Sequence, residues 1–333
     1  MFELSFIWAG IIAFAVLTYV ILDGFDLGVG ILFPFAEGER EKATMMNSIA
    51  PIWDGNETWL VMGGGGLFAV FPLAYAVIMP ALYIPITIML LALIFRGVAF
   101  EYRWRTERWK PVWDAAFFGG SIVAAFMQGI SLGALVQGIE VADRAYAGGW
   151  WDWLSLFSVL TGLAVIVGYA LLGATWIILK TEGSLQRQMQ GYAWWLAAGT
   201  LGFVGFVSIL TPFQDPIYFQ RWFNLPGSIF SVLMPGAVLA AAWALFAGLN
   251  AGKDAQPFLA ALCLFILCFI GIGISFYPNM VPPSLTIAEA AAPDESLWFA
   301  LVGTLVLVPM ILAYTAYTYW VFRGKVDPEE GYH

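Results

Sequence analysis

The sequence predicts an all-α integral membrane protein that crosses the bilayer nine times, and three observations lead there. Of 333 residues, 61% are hydrophobic and only 11% are charged, against roughly 45–50% and about 25% in soluble domains. Mean hydropathy is +0.81. The apolar residues fall into runs of about 20, the length that carries a helix across a ~30 Å hydrocarbon core. The net charge of −9 sits in short loops and inside apolar runs, which leaves no stretch for a sizeable soluble domain. Residues 1–333 therefore read as a single polytopic membrane domain.

The first run, Phe6–Phe33, lacks the basic leader and small-residue cleavage site of a secretory signal and is too long for one. The second, Ile52–Ala74, opens on PIWDGNETWL and contains Gly63–Gly66, a small-residue run that admits close approach of another helix. It has no GK[ST] ending and is not a phosphate loop. The third, Val77–Phe100, closes on FRGVAFEYR, and the fourth, Ala115–Val136, holds Gln128 at mid-span. The fifth, Leu154–Leu179, follows Trp150, Trp151 and Trp153, an aromatic signature of the membrane–water interface. Trp194–Leu210, Phe230–Leu249 and Phe258–Phe276 come next. Cys263 and Cys268 point in different directions around the eighth span and read as packing residues. The loop YPNMVPPSLTIAEAAAPDESL, with Pro278, Pro282, Pro283 and Pro293, cannot be one helix; it reads as an ordered cap on the bundle or as a docking surface for another subunit. The ninth span is Leu297–Phe322.

Orientation follows from the basic residues. All of the 14 except Arg144 and Arg221 lie at the ends of odd-numbered spans or after them, so the positive-inside rule puts the N-terminus outside and the C-terminus in the cytoplasm.

Carboxylates inside apolar runs are the strongest chemical signal. Asp23 and Asp26 lie in ILDGFDLGVG, Asp54 and Glu57 in PIWDGNETWL, and each i, i+3 pair shares a helix face. In antiparallel neighbours Asp26 and Asp54 stand at one depth on the cytoplasmic side, to which the third span returns with Arg96 and Glu101. A charge at membrane depth costs ~2.5–3.5 kcal/mol, so several are kept only if paired, hydrated or used. One arginine cannot neutralise four acids, and surplus carboxylates are exchangeable proton sites. The set reads as a proton-conducting route from the cytoplasm, against an ion-paired network that fixes helix packing. Gln128 extends such a route or serves as interhelical glue.

The chain's one histidine is His333, so haem ligation by imidazole at membrane depth, a zinc site and a Ser/His/Asp nucleophile are all excluded. Any redox metal belongs to a partner.

Four motifs in order, GFDLGVG from Gly24, PIWDGNETWL from Pro51, FRGVAFEYR from Phe95 and YPNMVPPSLTIAEAAAP running on to YTAYTYWVFRGKV, resemble subunit II of the bacterial cytochrome bd-type quinol oxidases, over nearly the whole chain. Its short length and compact loops are similar to the cyanide-insensitive branch. The resemblance implies two four-helix bundles plus one peripheral helix, paired in the bacterial cytoplasmic membrane with a subunit I that carries haems b and d and the quinol site. This chain then binds no cofactor of its own. It implies partners of subunit I, quinol, dioxygen, lipid and a small accessory subunit, and no nucleic acid. Asp54 matches the family's carboxylate for proton delivery, and Trp59 an aromatic position near the dioxygen route. Trp53, Asp26, Glu57 and Arg96 match further motif positions. The rival class is a proton-coupled secondary transporter, disfavoured because the acids cluster on one side rather than at the midplane; a structural scaffold for subunit I is a third reading.

Overall fold

The computed structural model describes residues 3–225 and 227–327, and His333 lies outside the described residues. Helix α1 (Leu4–Leu32) leads through a short amphipathic α2 (Gly38–Ile49) to α3 (Trp53–Val70), α4 (Pro72–Ala81) and α5 (Tyr83–Tyr102). After α6 (Lys110–Gln137), a hairpin of β1 (Val141–Ala142) and β2 (Ala145–Tyr146) precedes α7 (Leu156–Lys180) and α8 (Gly183–Leu210). The short α9 (Pro216–Phe223) is followed by α10 (Gly227–Asn250) and α11 (Ala255–Phe276). A second hairpin, β3 (Asn279–Val281) with β4 (Leu285–Thr286), then runs through α12 (Ile287–Ala290) into α13 (Asp294–Val321).

Among the described residues eight helices are long and apolar enough to cross a membrane: α1, α5, α6, α7, α8, α10, α11 and α13. The second expected span is where sequence and structure part. Its helix α3 carries Asp54, Asn56, Glu57 and Gly63–Gly66, which make it too polar to qualify by composition. The expected break between the second and third spans also moves. Pro72 pushes Phe71 out of the helical region, to φ −129°, ψ 60°, and α4 intervenes before α5. The sixth span begins at Gly183 rather than Trp194, because its first turns, GSLQRQMQGY, are helical but polar and escape a hydropathy window. The proline-rich loop is an ordered cap: Val281, Leu285, Ile287 and Ala290 are buried, and the Ala292 N–H donates to the Val70 carbonyl at 2.9 Å. At its far end Thr286 and Glu289 form a capping box, whose hydrogen bonds from Thr286 hold the Glu289 carboxyl below its usual range.

The core is built by close approach of α1, α6 and α7. A Cβ on Gly28 would fall 1.9 Å from the Tyr169 carbonyl, and one on Gly173 2.2 Å from the Gly28 carbonyl carbon. These two glycines let α1 and α7 touch backbone to backbone, which explains Gly28 of the first motif. Of the Gly63–Gly66 run, Gly63 and Gly66 face Val16 and Ile12 of α1, while Gly64 and Gly65 look into open space. Arg103 is buried where α5 gives way to α6. Its Nη2 pairs with Glu39 at 2.9 Å and its Nε with Asp114 at 2.5 Å, and Lys42 reaches Asp114 at 2.9 Å. These bridges tie α2 beneath one end of the bundle, called below the α2 end.

Gly28→Ala is expected to destabilise the protein by about 1–3 kcal/mol through overpacking, read as a lower thermal midpoint in detergent. Gly202→Ala, with nothing within 4 Å of its new methyl, should leave the midpoint unchanged or raise it.

Candidate functional site

The α2 halves of α1, α3 and α5 carry the charged motifs, and the structure brings most of them together. Asp23 and Asp26 of α1 and Arg96 of α5 are fully buried. Arg96 Nη1 lies 2.6 Å from Glu57 Oε1 and 3.2 Å from Asp23 Oδ1, so one guanidinium bridges α1, α3 and α5. The Glu57 side chain remains 24% exposed, the one member of the trio with a path outward. Trp53 stacks on Phe100 at 4.8 Å and 2°, and Arg96 stands 5.9 Å from both ring centres. The two aromatic faces thus wall one side of the cation.

Asp26 takes a separate partner. Asn56 Nδ2 donates to Asp26 Oδ2 at 2.7 Å, and the Tyr319 hydroxyl of α13 donates to Asn56 Oδ1 at 3.0 Å. On the other flank the Tyr19 hydroxyl faces Asp23 and accepts from Gln128 Nε2 at 2.8 Å, while the Tyr169 hydroxyl donates to Gln128 Oε1 at 2.7 Å. Two hydrogen-bonded chains, Tyr319–Asn56–Asp26 and Tyr19–Gln128–Tyr169, therefore flank the Arg96 trio and form a polar network from α13 to α6 and α7. Asp23 and Glu57 share one guanidinium with Asp26 one turn away, and both Asp23 oxygens, Asp26 Oδ1 and Arg96 Nε and Nη2 have no hydrogen-bond partner. Such atoms in a dry interior are costly unless water or an exchangeable proton satisfies them.

Asp54 stands apart. It is exposed, and among the described residues its carboxylate makes no hydrogen bond or ion pair; it lies one turn before Glu57 on α3, within electrostatic reach of it. Glu101 is also outside the cluster, exposed and 3.9 Å from Arg105. Trp59 is buried to 1% between Ala15 and Tyr19, edge-on to Phe14 at 5.8 Å and 87°, with its Nε1 unpartnered. Charge alone missed Asn56, Tyr19, Tyr169 and Tyr319. Asn56 could have been found, since it sits between the two acids of PIWDGNETWL; the tyrosines carry no sequence mark that sets them apart. Among the described residues no group of three or more His, Cys, Asp or Glu is placed to hold a metal ion, and no described residue is a histidine.

Arg96→Met would leave buried carboxylates without their cation, a loss of ~3–5 kcal/mol. The expected result is a sharp fall in monodisperse protein after detergent extraction, with Arg96→Lys intermediate because it keeps the charge but not the fork.

Residues 4–322 match the family described as cytochrome bd terminal oxidase subunit II. The chain is 31% identical to cytochrome bd-I ubiquinol oxidase subunit 2 of Escherichia coli K12, over 98% of this chain and 96% of that protein. It is 32% identical to cytochrome bd ubiquinol oxidase subunit 2 of Bacillus subtilis 168, over 99% of each. Among solved structures, a chain of the bd oxidase from Geobacillus thermodenitrificans superposes with a TM-score of 0.79 at 17% identity, covering 96% of this chain and 98% of that one.

Proposed function

The chain belongs to the family of cytochrome bd terminal oxidase subunit II, and we propose that its buried acids carry protons from the cytoplasm toward a haem-bearing subunit I. It is the non-haem subunit of a quinol:dioxygen oxidoreductase and a multi-pass protein of the bacterial cytoplasmic membrane. The complex oxidises quinol and reduces dioxygen to water, with the haems in subunit I. The proton-coupled transporter reading finds no support among the relatives.

The observation that carries the proposal is the excess of buried carboxylate over buried cation. Asp23, Asp26 and Glu57 surround Arg96 alone, so the cluster takes up and releases protons more readily than it stays fully charged. Asp54 meets water first at the start of α3, Glu57 passes the proton inward, and Asp23 and Asp26 hold it in the interior. Asp54 shares an exposed face with Thr58, Val61 and Phe68. A carboxylate facing hydrocarbon there would cost ~2.5–3.5 kcal/mol, whereas a polar, hydrated patch on subunit I would leave it in contact with water, so this face and the open flank of α13 are where subunit I docks. Trp59, buried between α1 and α3 beside that face, suits a dry route for dioxygen. The apolar sides of α8 and α10, with Trp195, Leu239 and Trp243 exposed, suit lipid, and a small accessory subunit has room on the same periphery.

Counting α3 as a crossing gives nine, arranged as two four-helix bundles with one peripheral helix, the N-terminus outside and the C-terminus in the cytoplasm. Reporter fusions at the two ends are expected to report opposite sides of the membrane; both on one side would mean an even number of crossings.

Asp54→Asn and Glu57→Gln keep shape and hydrogen bonding but cannot exchange a proton at neutral pH. Each is expected to slow oxygen consumption per haem d by tenfold or more, about 1.4 kcal/mol on the barrier, with haem spectrum and assembly intact. Normal turnover per assembled enzyme would exclude an essential relay.

A further inference from the structure

One branch of this network ends on α13, a helix with little of its own to hold it. Its buried residues are Leu297 and Leu301, near its start, where Trp8 Nε1 also donates to the Leu297 carbonyl at 3.0 Å. Farther along, Val302, Val306, Met310 and Tyr314 are exposed. Yet Tyr319, close to the other end, makes a 3.0 Å hydrogen bond to Asn56 and meets the rings of Phe25 and Trp176 edge-on, at 6.5 and 6.3 Å.

What fixes that end is a reciprocal pair of lysines. The α7 and α13 helices finish beside each other, each with C-terminal carbonyls that lack intrahelical partners. Lys180, the last residue of α7, donates from Nζ to the carbonyls of Phe322 and, at 2.7 Å, Gly324. Lys325, just beyond α13, donates back to the carbonyls of Ile178 at 3.2 Å and Thr181 at 2.9 Å. The Val326 N–H closes the exchange on the Lys180 carbonyl at 2.8 Å. Each ammonium therefore caps the end of the other's helix, where the macrodipole favours positive charge. Asp254, at the start of α11, holds Lys325 at 2.8 Å and accepts from Gln186 Nε2 of α8 at 2.9 Å. The Lys180 ammonium also stands 5.4 Å over the Trp176 ring that Tyr319 touches.

We propose that Lys180 and Lys325 are positioning residues: a clasp that holds the last turn of α13 so that Tyr319 stays on Asn56, and through it on Asp26. The inference rests on the reading that the acidic cluster delivers protons. Tyr319 lies one turn before Phe322, the residue Lys180 grips, so a frayed end releases the phenol first. Asn56 then loses its donor, and the orientation of its amide toward Asp26 is no longer fixed.

The test is a double-mutant cycle on the purified oxidase complex, read as oxygen consumption per haem d. Lys325→Met and Tyr319→Phe are each expected to slow turnover ~2–10-fold, the worth of one ordinary hydrogen bond, with haem d content unchanged. The double variant should be no slower than either single one, because both break the same link, and Lys325→Arg should restore the rate. Losses that multiply in the double variant would overturn the proposal, as would a slow Tyr319→Phe enzyme beside Lys325→Met and Lys180→Met enzymes of wild-type rate. If Lys325→Met fails to assemble, Asp254→Asn, which loosens Lys325 without removing it, takes its place in the cycle. Failure of the underlying reading looks different: Asp26→Asn and Glu57→Gln would then turn over normally.

Discussion

Arg96 brings a permanent positive charge into an apolar bundle, and the neighbouring helices are shaped to receive it. A guanidinium cannot shed its charge at any physiological pH, so α1 must offer Asp23 and α3 must offer Glu57 at bonding distance. That requirement sets the rotation of both helices about their axes. Once α1 is turned to aim Asp23 at Arg96, Asp26 follows one turn on and Asn56 of α3 is drawn to it. The remaining surface of Arg96 is closed by the stacked rings of Trp53 and Phe100. The proposed relay and helix packing would therefore draw on the same contacts, and the two readings posed by the sequence do not exclude each other.

Close backbone contact elsewhere makes this arrangement rigid. Gly28 and Gly173 bring the α1 and α7 backbones into direct contact, so small shifts there are resisted by atoms that cannot rotate away. Tyr169, beside that crossing, reaches Gln128 and thereby Tyr19, whose hydroxyl faces Asp23. The bridges of Arg103 with Glu39 and Asp114 close the bundle beneath them.

The crossings were legible because hydropathy acts on lengths of about 20 residues, and the acids because charge is rare in such runs. Where local geometry decided, the sequence was ambiguous: Phe71 and Pro72 break a run that hydropathy joins, and the polar start of α8 is helical without being apolar. In the site, i, i+3 spacing assigned Asp54 and Glu57 to one helix face, but which of them meets Arg96 depends on helix rotation: Glu57 does, and Asp54 stays exposed. Neutral members of the network escaped notice for a plain reason. Asn56, Tyr19, Tyr169 and Tyr319 acquire their meaning only from what four other helices set against them.

The buried charged residues among those described, Asp23, Asp26, Arg96, Arg103 and Lys180, all lie in the α2 half of the bundle. With the proposed orientation this has an electrical meaning. Glu57 follows Trp53 by four positions, a rise of ~6 Å or about a fifth of a 30 Å hydrocarbon core. A proton arriving there has crossed a like share of the membrane field, worth ~0.5 kcal/mol per 100 mV against ~2.3 for a full crossing. In the proposed relay, loading Glu57 would thus draw on only a small share of the membrane potential, and most of the field would be crossed farther along the proton's route.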